Sequence, residues 1–158
     1  MAQQHPLVIA VPGEPPVAVS HVLLDFNGTL AQDGDLLPGV AARLRRLGRL
    51  ARITVATADT FGQARAALKG LPVEVEIVET GRDKLRLLRR LGPSQTVVIG
   101  NGRNDVPILQ QAALGIVVLG PEGAAGEAVR AADILVRDIR EALDLLLKPL
   151  RLAATYRR

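Results

Sequence analysis

The chain has 158 residues, of which 48% are hydrophobic and 23% charged, a composition typical of one globular domain spanning residues 1–158. It contains no cysteine and two histidines, His5 and His21. These counts exclude disulfides, thiolate zinc sites and cysteine nucleophiles, and they leave too few imidazoles for most histidine-built metal sites. Carboxylates, amides, hydroxyls, lysine and arginine must therefore carry any chemistry.

The charge balance is basic, with a formal net charge of +4 and arginine as 17 of the 20 basic residues. Many arginines fall in two strips, at residues 43–52 and 82–90. We interpret the strips as solvated helix faces, with an interface to an anionic partner as the alternative. Nucleic acid is disfavoured as a partner, because the chain has only three aromatic residues on which bases would stack.

The sequence also predicts no membrane partner. No apolar run approaches the roughly 18 residues of a membrane span. No basic region precedes the short apolar stretch Leu7–Val11, so a signal peptide is not expected. We therefore expect a cytoplasmic protein.

Short apolar runs alternate with longer segments of helical periodicity along the chain. The predicted strands are Leu7–Val11, Ala18–Leu24, Ile53–Ala56, Val73–Val78, Thr96–Ile99, Gly115–Leu119 and Ile134–Val136. The predicted helices are Val40–Leu50, Phe61–Leu68, Arg82–Leu91, Asp105–Ala113, Glu122–Ala131 and Arg137–Leu147. This alternation, with strands that are apolar throughout, predicts an α/β three-layer sandwich with a mainly parallel, Rossmann-like sheet.

The two ends of the chain are predicted to depart from this pattern. The Pro- and Gly-rich turn at residues 11–16 predicts that the first strand folds back as an antiparallel edge in an N-terminal β-hairpin. The tail after Pro149 is expected to be frayed.

Polar residues follow three of the predicted strands directly. They occupy residues 25–30, 57–60 and 100–105, and they include carboxylates, amides, hydroxyls and glycines. Because ligands of parallel α/β sheets bind beyond the carboxyl ends of the strands, these three segments form the candidate site.

The same segments resemble the motifs of the haloacid dehalogenase (HAD) superfamily, and most of all the phosphorylation domains of P-type ATPases. Leu24–Leu30 resembles the first motif, and Thr57–Asp59 resembles the second, Thr-Gly-Asp. Lys84 stands where the lysine of the third motif belongs, and Gly100–Leu109 resembles Gly-Asp-Gly-x-Asn-Asp-Ala-Pro-x-Leu. The resemblance covers roughly residues 20–147. The spacing between the motifs leaves no room for a cap or nucleotide-binding domain, so the chain resembles the small soluble P-type ATPase-like members.

The resemblance implies a role for each motif residue. Asp25 would be the nucleophile that forms an aspartyl-phosphate, and Lys84 would bridge that carboxylate and the phosphate. The hydroxyls of Thr29 and Thr57, with backbone N–H groups around Ala58, would bind phosphate oxygens.

The resemblance also implies a Mg²⁺ cofactor. Its ligands would be Asp25, the backbone carbonyl of Asn27, Asn101 and Asp105. Most relatives have aspartate at the positions of Asn27 and Asn101. An amide at 27 cannot protonate a leaving oxygen, which predicts a preference for good leaving groups. An amide at 101 brings less charge to the cation.

Ordinary structural roles remain as alternatives at this stage. Asp25 is also typical of a turn, Lys84 of an exposed helix face, and Gly100–Asp105 of a loop that opens a helix. One of residues 57, 59 or 60 would serve as the N-cap of the following helix.

The leading hypothesis is therefore a Mg²⁺-dependent phosphatase that acts on a phosphorylated small molecule or macromolecule, with a homo-oligomer covering the open site. The competing hypothesis is a weak or inactive HAD-like module that binds phosphate or a partner. The substrate itself cannot be named from the residues.

Overall fold

The computed structural model describes residues 6–60 and 62–158. Its strands are β1 (Leu7–Ile9), β2 (Val17–Val19), β3 (His21–Asp25), β4 (Ala31–Gln32), β5 (Asp35–Leu36), β6 (Arg52–Thr57), β7 (Val73–Ile77), β8 (Thr96–Gly100), β9 (Leu114–Val118) and β10 (Ile134–Val136). Its α-helices are α1 (Val40–Leu47), α2 (Gln63–Leu68), α3 (Gly81–Leu91), α4 (Val106–Gln111), α5 (Gly126–Ala131), α6 (Ile139–Leu147) and α7 (Pro149–Tyr156). Short 3₁₀ turns at Pro93–Gln95 and Arg103–Asp105 complete the elements.

Six strands form the central sheet, in the order β10-β9-β8-β3-β6-β7, and every neighbouring pair is parallel. Their side chains alternate between two apolar layers. Val22 and Leu24 of β3 pack with α1, α2, α6 and α7 on one face, whereas Leu23 packs with α3, α4 and α5 on the other. The predicted three-layer α/β sandwich is confirmed, and the described residues contain no cap domain.

The N-terminal hairpin is confirmed, but its place in the fold differs from the prediction. β1 and β2 pair antiparallel with each other and form a separate two-stranded sheet rather than an edge of the central one. The predicted strand Ala18–Leu24 is divided at Ser20, where the chain leaves the hairpin and enters β3. Apolar periodicity runs through this point because residues on both sides of it are buried.

The expectation of a frayed tail is wrong. Residues 149–156 form α7, which begins at Pro149, a residue favoured at the first helical position. Leu152 is fully buried and shares the core with Leu7 and Ile9 of the hairpin. The C-terminal helix and the N-terminal hairpin therefore cover one another.

The other predicted elements are present with shifted ends. The predicted start of the second helix, Phe61, lies outside the described residues, as does His5. The fifth predicted helix begins later than expected, at Gly126, because Gly123 adopts a left-handed conformation with φ of 75°. The short antiparallel pair β4–β5 has no counterpart in the prediction.

The register of the sheet brings the polar segments together. Asp25, the last residue of β3, pairs with Ala56 of β6, and Leu24 pairs with Ile99 of β8. The segments after β3, β6 and β8 therefore leave the sheet side by side at its carboxyl edge. In the described part of the chain, no helix is long and apolar enough to cross a membrane.

Candidate active site

An open cleft of about 690 Å³ lies at the carboxyl edge of the sheet. Asp25 stands at the point where β3 ends, with 14% of its side chain exposed to this cleft. The three preceding residues of the strand, Val22–Leu24, are completely buried, so the backbone of β3 fixes where the carboxylate lies. The position is that of a reactive group presented by a rigid element rather than that of a mobile surface turn.

The Lys84 side chain connects Asp25, at the end of β3, with Asp105, which follows β8. Its ammonium group donates to Asp25 Oδ1 at 3.1 Å and to Asp105 Oδ1 at 2.7 Å. The side chain is only 3% exposed, so the alternative of an exposed helix lysine is wrong. The capping box of Thr80 and Asp83 fixes the first turn of α3 and thereby the direction in which Lys84 projects.

Asp105 is fully buried beneath the cleft. Its Oδ2 accepts hydrogen bonds from the backbone N–H groups of Asn101, at 3.1 Å, and Gly102, at 2.9 Å. Since Oδ1 accepts from Lys84, both oxygens have donors. The carboxylate thus holds the loop after β8 in shape and sets the position of the lysine.

The charges of this cluster shift the titration of its members. Burial and the neighbouring Asp105 carboxylate raise the pKa of Asp25 to about 7, although the Lys84 charge acts in the opposite direction. Burial by itself would lower the pKa of Lys84, but the charges of Asp25 and Asp105 outweigh it and raise that pKa above its usual value. Lys84 therefore stays protonated, and negative charge at Asp25 is only partly offset.

Thr57 ends β6 beside Asp25 and is 5% exposed. Its hydroxyl accepts a hydrogen bond from the backbone N–H of Asp59 at 3.2 Å. The N-cap of α2 is Gly62, so the expected N-cap at residue 57, 59 or 60 is wrong. The Asp59 carboxylate nevertheless caps the helix from the preceding loop, because it accepts from the N–H groups of Ala64 and Arg65 in the first turn. Thr57 is therefore not the cap, and it lines the cleft together with Ala58.

Thr29 and Asn101 contact each other, and Asn101 lines the cleft. Thr29 is fully buried, and its hydroxyl donates to Asn101 Oδ1 at 3.3 Å. Asn101 Nδ2 donates to the carbonyl of Gly123 at 3.0 Å. The amide thus connects the loop after β3 with the loop after β9, a role that needs both a donor and an acceptor.

Asn27 is exposed at the mouth of the cleft, and its side chain has no hydrogen-bond partner among the described residues. The neighbouring Gly28 lies against the Asn101 amide, where an added Cβ would come within 2.4 Å of Nδ2. Its φ of 77° also favours glycine. The loop after β3 therefore packs on the loop after β8.

The cleft contains residues that sequence reasoning missed. They are contributed by β4–β5, α2 and the loops after β7 and β9, and they comprise Asp33, Gly34, Gln63, Val78, Glu79 and Glu122. The dipeptide Asp33-Gly34 was a signal for a tight turn, since Asp-Gly is typical of hairpins. Nothing in the residue pattern indicated that Glu79 and Glu122 would face the same cleft.

The donor chemistry of the cleft fits a Mg²⁺ ion, since the candidate ligands are carboxylate, amide and backbone carbonyl oxygens. The repulsion from Asp105 that raises the pKa of Asp25 is a charge that a cation would offset. In residues 6–60 and 62–158, no group of three or more acidic or histidine side chains is arranged to hold a metal. Amide and carbonyl oxygens would have to complete the ligand set.

Two curated proteins of Methanocaldococcus jannaschii resemble the chain. The uncharacterized protein MJ0073 is 47% identical over 78 residues, which cover 47% of this chain and 84% of that protein. A soluble P-type ATPase-like phosphatase is 28% identical over 127 residues, which cover 76% of this chain. The match spans only 46% of the length of that phosphatase. No protein-family model matches the chain.

Solved structures show the same fold at low sequence identity. A 3-deoxy-D-manno-octulosonate 8-phosphate phosphatase from Moraxella catarrhalis, in complex with magnesium, phosphate and KDO, superposes with a TM-score of 0.67 at 16% identity. It matches 87% of this chain and 93% of its own. A putative HAD superfamily hydrolase from Legionella pneumophila has a TM-score of 0.65 at 18% identity, covering 87% and 88%. The predicted HAD-like fold is confirmed.

Proposed function

We propose that this chain, which belongs to the same family as MJ0073 and has the HAD fold, is a Mg²⁺-dependent phosphohydrolase that forms an aspartyl-phosphate on Asp25. One observation carries the proposal: Lys84 bridges the carboxylates of Asp25 and Asp105 at the carboxyl edge of the sheet, inside the cleft. A carboxylate at a strand end beside a buried ammonium is suited to attack an anionic phosphoryl group.

The phosphoryl group is bound by Lys84, the hydroxyl of Thr57 and the backbone at Ala58 in this proposal. All three residues line the cleft around Asp25, which supports their assignment. Thr29, whose hydroxyl is used by Asn101, acts through that amide. A compact ammonium fits between two carboxylates better than a planar guanidinium, which explains a lysine at 84 in a chain that uses arginine almost everywhere else.

The residues that would hold Mg²⁺ are Asp25, the backbone carbonyl of Asn27, Asn101 and Asp105. Bound there, the cation would offset the repulsion between the Asp25 carboxylate and a phosphate dianion. Asn101 and Asp105 already use their oxygens within the protein, whereas the side chain of Asp25 is 14% exposed to the cleft.

The chemistry on this chain has two steps. A carboxylate oxygen of Asp25 attacks phosphorus in line, and the bond to the leaving group breaks. Water then attacks the aspartyl-phosphate, releasing inorganic phosphate and restoring the carboxylate. Asn27 neither gives a proton to the leaving group nor takes one from water. General acid–base help is worth about 10²–10⁴-fold, so acyl phosphates should be better substrates than alkyl phosphates and the intermediate should be long-lived.

The proposal also includes the biological setting. The substrate is a phosphorylated molecule, and the protein acts in the cytoplasm. A second copy of the chain covers the cleft, which is supported by the absence of a cap domain from the described residues.

Acetyl phosphate hydrolysis tests the proposal. We expect phosphate release that requires Mg²⁺ and is lost in Asp25→Asn, whereas the control Asp35→Asn, an exposed carboxylate outside the cleft, keeps it. Release that is unchanged in Asp25→Asn would contradict the proposal. Phosphate binding without turnover in the native chain would favour the non-catalytic module.

A further inference from the structure

The candidate cleft carries the opposite charge to the chain as a whole. Five carboxylates line it, those of Asp25, Asp33, Asp59, Glu79 and Glu122, against the single ammonium of Lys84. The complete chain has a formal net charge of +4. The cleft proposed to receive a phosphate therefore carries net negative charge on a protein that is basic overall.

Three of these carboxylates are available to a ligand. Asp25 is paired with Lys84, and Asp59 caps α2. Asp33, Glu79 and Glu122 are exposed, come from three different loops, and form no ion pair or side-chain hydrogen bond within the described residues. We call these three residues the acidic rim.

In the proposed function, the phosphoryl group lies at the floor of the cleft. The Thr57 hydroxyl, 5% exposed, accepts from Asp59 N–H, and its own proton has no acceptor in the described part of the chain. It is a buried donor that lines the cleft beside Lys84 and Asp25, as an anionic oxygen requires. Because displacement at phosphorus is in line, the leaving group then points away from the largely buried Asp25, and we place it on the exposed side of the cleft, the side on which the rim residues are exposed.

The cleft offers this leaving group no obvious proton. Asn27 carries an amide, and the Lys84 ammonium donates to the carboxylates of Asp25, at 3.1 Å, and Asp105, at 2.7 Å. The carboxylates of the rim attract positive charge instead. A good substrate is therefore one whose leaving group is cationic and already protonated before the bond breaks.

We propose that the cleft selects N-phosphorylated substrates, in which the phosphoryl group is bonded to a protonated nitrogen. This inference rests on the proposed function. In the first step an oxygen of Asp25 bonds to phosphorus, and the P–N bond breaks with its electron pair remaining on nitrogen. Since that nitrogen already carries its protons, it leaves as a neutral amine. Water then attacks phosphorus, the P–O bond to Asp25 breaks, and the proton of the water passes to the released phosphate.

The test compares two substrates that need no proton from the protein. Phosphoramidate has a leaving group that is cationic in the substrate, whereas the leaving group of acetyl phosphate is not cationic. We measure kcat/KM for both substrates with Mg²⁺. The variant Asp33→Asn/Glu79→Gln/Glu122→Gln neutralises the rim. The control Glu14→Gln/Glu74→Gln/Glu76→Gln removes three carboxylates that do not line the cleft. For each variant, we divide kcat/KM for phosphoramidate by kcat/KM for acetyl phosphate. Comparing this ratio between variants removes the difference in intrinsic reactivity between the two substrates.

We expect the ratio of phosphoramidate to acetyl phosphate to fall about three- to tenfold in the rim variant, as removal of three partly screened charges predicts. The control variant should keep the native ratio. A ratio that stays constant or rises in the rim variant, with acetyl phosphate still hydrolysed, overturns this inference alone. If neither substrate is hydrolysed by the native chain, the proposed function fails first. Faster turnover of the anionic octulosonate 8-phosphate than of phosphoramidate would also contradict selection by the rim.

Discussion

Two loops at the same edge of the sheet each carry an asparagine where most members of the HAD superfamily have aspartate. The structure gives these two asparagines different surroundings. Asn27, in the loop after β3, is exposed and its side chain has no partner among the described residues. Asn101, in the loop after β8, accepts from Thr29 and donates to the Gly123 carbonyl. The same change of residue type therefore removes a proton donor at one place and adds a structural hydrogen bond at the other.

The difference lies in what an aspartate would meet. At position 101 a carboxylate would face the Gly123 carbonyl without a proton to share, and it would add negative charge to the cleft that Asp25 also lines. At position 27 a carboxylate would enter an open, solvated mouth. We infer that Asn101 is required by the architecture of this chain, whereas Asn27 limits only its chemistry.

The largest expected effect is on catalysis in Asn27→Asp. Restoring a proton donor beside the leaving group should raise kcat/KM for an alkyl phosphate such as methyl phosphate by about 10²–10⁴-fold. Acetyl phosphate, whose leaving group needs no proton, should gain far less. Steady-state kinetics on the two substrates measures the contrast. Equal gains on both would show that position 27 does not act through a proton.

Lys84→Met tests the residue that joins the two loops. Removing the ammonium leaves the buried Asp105 and Asp25 carboxylates facing each other without compensation, and this should cost about 3–5 kcal/mol of unfolding free energy. Urea denaturation at neutral pH without Mg²⁺ measures it. Lys69→Met, at an exposed position, is the control and should change stability little. A small loss in Lys84→Met would mean that the loops are held together by other contacts.

Asn101→Asp and Asn27→Asp form a matched pair for stability. The first leaves the Gly123 carbonyl without its donor, which should cost about 1–3 kcal/mol. The second changes an exposed side chain and should stay within about 0.5 kcal/mol of the native chain. Hydrogen exchange should also become faster in residues 120–125 of Asn101→Asp alone. If the two variants were equally stable, Asn101 would be no more important for the structure than Asn27.

A pH dependence of stability is expected from Asp25, at the end of β3. Because the pKa of Asp25 is raised to about 7 in the folded chain, the folded state binds more protons than the unfolded state between about pH 4 and 7. Stability contributed by this group is therefore lost as pH rises through that window. Asp25→Asn should show a smaller fall in melting temperature from pH 5 to pH 8 without Mg²⁺, measured by calorimetry. A steeper fall in the melting temperature of Asp25→Asn than of the native chain would contradict the raised pKa of Asp25.

The sequence predicted the parallel sheet and the three segments at its carboxyl edge, because apolar runs and the residues after them are local features. The division of Ala18–Leu24 at Ser20 could not be predicted from apolar periodicity. The residues before and after Ser20 belong to different sheets, but both segments are apolar. The helix at Pro149–Tyr156 was missed because its stability comes from packing of Leu152 against the distant hairpin.

The site shows the same limit more clearly. The candidate positions of Asp25, Thr57 and Lys84 followed from motif spacing. The hydrogen bond between Thr29 and Asn101 joins residues 72 positions apart, and it appears only when the loops are placed in space. The acidic rim is invisible in the sequence for the same reason, since Asp33, Glu79 and Glu122 come from separate loops of a chain that is basic overall.

Trapping of the covalent intermediate tests the central claim most directly. The native chain is mixed with acetyl phosphate and Mg²⁺, quenched in acid, and examined by intact-mass spectrometry and peptide mapping. We predict the added mass of one phosphoryl group, located on Asp25, absent without Mg²⁺ and absent from Asp25→Asn. Turnover of acetyl phosphate with no adduct on Asp25, or with the adduct on another residue, would contradict the account.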